Sequence, residues 1–205
     1  MKRMIRAVRD HGILGTLFRA LRLSRDLVVG ERPLRTPDRH VLERVILPHY
    51  RRCRNVTRVL FVGCERYTAH YSKYFRDKQF WTIEPDPDKR KYGATRHVVD
   101  VLQNLHRHFP PGSFDLIICN GVFGWGLNDR ADCEEAFDHC FTTLVDGGEL
   151  VIGWNDTPEY RPFELAELRS LGQFESMSFS PLGTSRYLCD AQMRRHVYSF
   201  YRKPQ

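Results

Sequence analysis

The sequence has no pair of cysteines at C-x-x-C spacing. Its six cysteines, at positions 53, 64, 119, 133, 140 and 189, are scattered, and several fall on the apolar faces of expected strands and helices. Structural zinc needs clustered thiolates or imidazoles, and a disulfide framework belongs to short, cysteine-dense secreted chains. The better reading is free core thiols in a reducing cytoplasm, with no metal. No apolar run approaches the ~18 residues of a membrane-crossing helix, so no span is expected. Internal repeats and low-complexity tracts are also missing. What is there is a globular composition, 41% apolar over 205 residues, enough for one α/β domain with a modest extension.

Acidic residues are scarce at one end only. Residues 1–55 carry 14 Lys+Arg against 5 Asp+Glu, and residues 56–205 carry 18 against 20. The excess positive charge therefore belongs to an N-terminal extension (1–55), and the body (56–205) is nearly neutral, so the global pI says little about substrate. Within the extension Leu14, Leu17, Phe18 and Leu21 share one helical face, while Arg19, Arg22 and Arg25 tend to the other. Three uses stand open for this basic helix: a lid or docking helix, a peripheral contact with an anionic membrane or a partner, and a targeting peptide, against which Asp10 argues. Thr36-Pro37 then starts a helix with a capping hydroxyl and proline at its first position. Val41, Leu42, Val45 and Ile46 give it an apolar face, and Pro48 perturbs its end.

The body is organised around Val59 to Val62, a short β-branched run that ends on Gly63. Thr68 is placed to cap a following helix carrying Tyr71, Tyr74 and Phe75. Strand, glycine turn and helix open a nucleotide-binding βαβ unit. Four further apolar pieces follow: Phe80 to Ile83 ending on Glu84, His97 to Val99 ending on Asp100, Phe114 to Cys119 ending on Asn120-Gly121, and Leu150 to Ile152. Polar or glycine residues at successive carboxyl ends of parallel strands line the ligand crevice of an open α/β sheet. An acid about twenty residues past the glycine turn suits two ribose hydroxyls.

These stretches resemble the class I S-adenosylmethionine-dependent methyltransferases from about Arg54 onward: VLFVGC as the first motif, TIEPDP, HVVDVLQNL, FDLIICNGVFGWG and LVDGGELVIGWND. The resemblance implies a doubly wound, Rossmann-like, mostly parallel seven-stranded α/β sheet with an antiparallel closing strand, behind the N-terminal helical extension. It implies S-adenosyl-L-methionine as cofactor, with Gly63 under its amino-acid end, Glu84 on the ribose, Asp100 and the Val101 backbone on the adenine, and Asn120 near the sulfonium. The first motif departs from the family: Phe61 replaces its acid, and Cys64 to Tyr67 replace its later glycines, which allow close backbone approach. Glu65 could supply the missing carboxylate for the cofactor's ammonium. The same departure motivates a second reading, a non-catalytic methyltransferase-like binding module.

Beyond the fourth strand, residues 120–126 interleave three glycines with Phe123 and Trp125, which either box the acceptor and the sulfonium or seal the pocket floor. Asn155 and Asp156 fall past the fifth strand, on the acceptor side. Asp156 and His70 are the candidate bases, and Phe123, Trp125 and Asn155 the candidate acceptor contacts. Cys133, Ala136, Phe137, Cys140, Phe141 and Leu144 form a core helix that Gly147-Gly148 should end. Pro162 should open a last helix through Leu171. Residues 174–179 and 196–202 alternate as two closing strands, with the loop 181–187 long enough to reach the acceptor. The expected activity is in-line methyl transfer to a small-molecule acceptor, not a specific nucleic acid, because the Asn/Asp-Pro-Pro-aromatic pattern of base N-methyltransferases is missing. Oligomeric state is open, a homodimer included.

Overall fold

The computed structural model describes residues 36–190 and 194–205; the basic helix expected around Leu14 to Arg25 lies outside the described residues. Five strands run where the apolar pieces predict them: β1 (Arg58–Val62), β2 (Gln79–Ile83), β3 (Arg96–Val98), β4 (Phe114–Asn120) and β5 (Leu144–Asn155). They are followed by β6 (Glu175–Ser176), β7 (Arg186–Leu188) and β8 (His196–Arg202). The order across the sheet is β3-β2-β1-β4-β5-β8-β6, with β7 also on β8. Pairings among β1 to β5 are parallel, and β5, β6 and β7 all meet β8 antiparallel. The sheet therefore has eight strands where seven were expected. The added one comes from the loop 181–187: β6 meets Tyr201 and Arg202, while β7 meets Val197 to Ser199, so two short strands share the edge that one would take.

Alternation along the strands sorts the side chains onto two buried faces. Val59 and Phe61 of β1, Leu116 and Ile118 of β4, Val151 of β5 and Phe200 of β8 join Leu42, Ile46, Leu47 and Tyr50 of α1, residues 37–52. Leu60, Val62, Ile117, Cys119, Leu150 and Ile152 face the other way, onto Cys133, Ala136, Phe137 and Cys140 of α2 (Arg130–Thr143). Three layers with helices on both faces are the doubly wound arrangement. From residue 36 onward the described chain is one compact unit, so α1 packs with the sheet.

Several local expectations are corrected. Thr36 holds the N-cap position of α1, but its side chain makes no cap bond. Pro48 does not stop the helix, which runs to Arg52 through a π-helical turn at Leu42–Ile46; a wider turn ahead of a proline relieves the clash with the preceding carbonyl. The helix expected after β1 is replaced by two 3₁₀ turns, Arg66–Thr68 and Tyr71–Lys73. Tyr, Thr, His and Ser are weak helix formers, and Thr68 instead accepts the Glu65 N–H within a capping box. A further 3₁₀ turn runs from Leu102 to Arg107, after β3. The helix expected from Pro162 is likewise reduced to 3₁₀ turns at Leu165–Glu167 and Leu171–Gln173.

Gly147 does not end α2. That helix stops at Thr143, and Leu144 already pairs with Phe114 as strand. Gly147, at φ +75°, lies inside β5 where the register to β4 jumps from Leu144 to Glu149, a bulge that only glycine accommodates without strain. All six cysteines are free. Among the described residues no helix is long and apolar enough to cross a membrane, and no group of three or more His, Cys, Asp or Glu could hold a metal ion.

Candidate active site

The strand order reverses between β1 and β4, and the crevice of a doubly wound sheet opens at that point, beyond the carboxyl ends. Gly63 follows β1 there at φ +85°, its N–H donating to Ile83 O at 2.9 Å. A Cβ on Gly63 would stand 3.3 Å from Val122 Cγ2 in the loop after β4, so the two loops adjoin across the switch point. The side chains that replace later glycines are engaged with neighbours. Cys64 is buried, with its thiol pushed up to about 11 by burial, and the Arg39 guanidinium lies over the Tyr67 ring at 4.2 Å. Glu65 forms an ion pair with Lys89.

Glu84 is 7% exposed, and each of its carboxylate oxygens accepts one backbone N–H: Cys64 at 3.0 Å on Oε2 and Asp86 at 3.1 Å on Oε1. Each oxygen keeps a further lone pair, and Lys89 Nζ stands 3.9 Å from Oε1. At the next strand end, Asp100 accepts Val101 N–H and Asn104 Nδ2 on Oδ1, both at 2.8 Å, and meets His108 Nε2 at 2.7 Å on Oδ2. The apolar neighbours Val99 and Val101 are exposed beside it. The bonds from Asn104 and then His108 hold the Asp100 carboxyl down to about 2. That lies below the ordinary value near ~3.9, so these contacts stabilise fully above it and are lost as pH falls through the folded value. Amide exchange across residues 100–108 is therefore expected to stay protected to about pH 4 and to rise between pH 4 and 2. Unchanged protection at pH 2 would remove Asp100 as the anchor of this turn.

On β4, Asn120 is buried with Oδ1 lacking any hydrogen-bond partner. It lies over Gly153 of β5, where a Cβ would meet that oxygen at 2.0 Å. Beyond it Phe123 is fully buried, edge-on to Phe163 and Trp154, so it presents no exposed face. Trp125 is half-buried and stacks on Tyr160 with centroids 4.5 Å apart. Gly124 makes this possible: at φ +81°, a Cβ would fall 1.8 Å from Tyr160 O. Gly124→Ala is expected to cost about 2–4 kcal/mol, combining left-handed strain with a backbone clash. It should also shift the Trp125 fluorescence, and an unchanged melting temperature would contradict the close approach.

The candidate bases are placed differently from one another. Asp156 accepts Arg161 at 2.8 Å and Arg186 at 2.7 Å, with Arg195 at 3.6 Å. Three arginines converging on one carboxylate tie together the segments at residues 161, 186 and 195. Arg195 sits at φ +45° and its backbone accepts the Asp156 N–H. His70 lies on the 3₁₀ turns after β1, 3.7 Å from Glu43 and edge-on to Tyr71. Asn155 is 3% exposed, and its Oδ1 meets His196 Nδ1 at 2.7 Å. His196 was missed by the sequence reading, which saw only a strand residue. Burial, opposed by Asp38 and assisted by Arg39 and Arg194, pushes its imidazolium down to about 4.

Residues 60–152, from β1 into β5, match the methyltransferase domain family. Over that segment the chain is a methyltransferase domain. As such it is an enzyme that uses S-adenosyl-L-methionine. Solved structures agree on the fold. The N-methyltransferase NodS from Bradyrhizobium japonicum WM9, in complex with S-adenosyl-L-homocysteine, is 17% identical with a TM-score of 0.62, over 90% of this chain and 98% of that one. A TehB-like methyltransferase from Corynebacterium glutamicum gives 17% and 0.59, over 90% and 96%. The 1,6-didemethyltoxoflavin-N1-methyltransferase of Burkholderia thailandensis gives 12% and 0.56, over 92% and 86%. No curated protein sequence matches the chain.

Proposed function

We propose that this methyltransferase transfers a methyl group in line to a small-molecule acceptor, with the cofactor lying across the carboxyl ends of β1 to β4. The observation that carries the placement is Glu84: a buried carboxylate oriented by Cys64 N–H and Asp86 N–H, with lone pairs left over. A pair of ribose hydroxyls matches those lone pairs. The residues around it fit the rest of the group. Gly63 gives a backbone without Cβ for the amino-acid end, the exposed Val99 and Val101 give apolar surface for the adenine, and Asn120 Oδ1 is a buried acceptor without a partner. When bound, the cofactor supplies an electrophilic methyl on a sulfonium. The chain's own work is to orient and exclude water, and well-positioned intramolecular reactions gain roughly 7–11 kcal/mol from such holding.

Support for a small acceptor comes from the rim. The Trp125–Tyr160 stack and the arginines on Asp156 wall the side beyond β5, and one neighbour holds 1,6-didemethyltoxoflavin. The test is calorimetry of the full chain with S-adenosylhomocysteine. Binding saturable in the micromolar range is expected. No heat at millimolar ligand from a cooperatively melting protein would overturn the reading and favour a binding module.

A further inference from the structure

We propose that His196, positioned by Asn155, takes the proton from the methyl-accepting atom, and that this atom is a hydroxyl oxygen or a weakly basic N–H nitrogen. The inference rests on the proposed methyl transfer and adds its proton acceptor and its class of substrate.

Two buried acceptor atoms lack partners, Asn120 Oδ1 at the carboxyl end of β4 and His196 Nε2 at the start of β8, opposite the end of β5. Both side chains come off the sheet face that packs against α1. Asn120 lies opposite Gly153, Gly153 opposite Tyr198, and Asn155 opposite His196. Gly153 lets Asn120 and Tyr198 close over β5, since a Cβ there would meet Asn120 Oδ1 at 2.0 Å and Tyr198 Cε1 at 2.8 Å. The His196 ring stands edge-on to Tyr198, centroids 4.9 Å apart. With Asn155 Oδ1 at 2.7 Å, Nδ1 carries the ring proton and donates it, so Nε2 presents a lone pair.

The groups facing this ring are Asp38 and Arg39 from α1, Tyr198 on its own strand and Arg194 just ahead, while Cys189 beside β7 donates its backbone N–H to the His196 carbonyl. Arg39 is itself buried, donating to Tyr71 OH at 2.7 Å. The acceptor's oxygen or nitrogen forms the bond to the methyl carbon, the carbon–sulfur electron pair stays on sulfur, and the displaced proton passes to Nε2. A ring kept neutral by burial and by two guanidiniums is a weak base. It cannot strip an alkylammonium, but it can relieve an oxonium or an acidic N–H cation as that charge develops. This selects against simple alkylamines.

The probes are phenol and indole, minimal O–H and weakly basic N–H donors, added to the full chain saturated with S-adenosylhomocysteine. In the free protein at pH 7, nitrogen NMR of the imidazoles should show the proton on Nδ1 of His196. Phenol should then shift the Nε2 resonance. His196→Phe should weaken phenol about tenfold, the loss of one hydrogen bond, with S-adenosylhomocysteine affinity unchanged, and His196→Gln should restore part of it. Asn155→Ala should raise the Nε2–H tautomer, which a purely structural residue would not do. A proton on Nε2 in the free protein, an Nε2 silent to both probes, or equal phenol binding by His196→Phe would each overturn the proposal. If S-adenosylhomocysteine itself fails to bind, the methyl-transfer reading falls instead.

Discussion

Gly63→Val is expected to lower S-adenosylhomocysteine affinity on the order of a hundredfold, an overpacking cost near 1–3 kcal/mol added to the loss of close backbone approach. Gly63 stands at φ +85°, and its Cβ position lies only 3.3 Å from Val122 Cγ2. A branched side chain there must intrude on the loop after β4 or on the crevice. The backbone strain alone would cost about 1–2 kcal/mol and lower the melting temperature. Gly183→Val separates the two effects, because Gly183 has φ +65° with nothing within 4 Å of its Cβ position. That control should lose stability comparably and keep its affinity. Calorimetry on both variants decides: retained binding in Gly63→Val would move the amino-acid end of the cofactor away from β1.

The second large effect is expected at Glu84. Glu84→Gln keeps the shape but turns one acceptor into a donor, facing either Cys64 N–H or Asp86 N–H. Two charge-assisted hydrogen bonds at about 1.5–3 kcal/mol each are at stake before compensation, so affinity for S-adenosylhomocysteine should fall at least about tenfold. The Lys89–Glu65 pair, 3.9 Å from the carboxylate at Lys89 Nζ, should loosen as well. Adenine alone should bind the variant as before, since Val99 and Val101 lie at the next strand end. Equal nucleoside affinity in both proteins would show that the ribose is held elsewhere.

The strand ends that frame the candidate site were legible in residue order. Glu84, Asp100 and Asn120 each end an apolar run, and a parallel sheet buried on both faces makes such runs easy to see. The turns were less legible. Residues 64–75 have helical apolar spacing but fold as 3₁₀ turns, with Arg39 from α1 over Tyr67 and bonded to Tyr71. A tertiary contact thereby overrode a periodic pattern. Phe123 and Trp125 are two residues apart with similar chemistry, yet one is core and one half-buried. Only the packing of Phe163 and Tyr160 against them separates the pair.

By itself, the sequence determined the parallel strands, the polar residues at their carboxyl ends and the neutral body behind a basic extension, because burial periodicity and charge are local properties. Tertiary structure alone decided which carboxylate is tied up and which imidazole is left open. Asp156 meets arginines from residues 161, 186 and 195. His196 meets Asn155 across an antiparallel pair, 41 residues apart in the chain. Proton affinity at a site depends on charges and dipoles within a few ångströms, and the fold, not chain order, sets those distances.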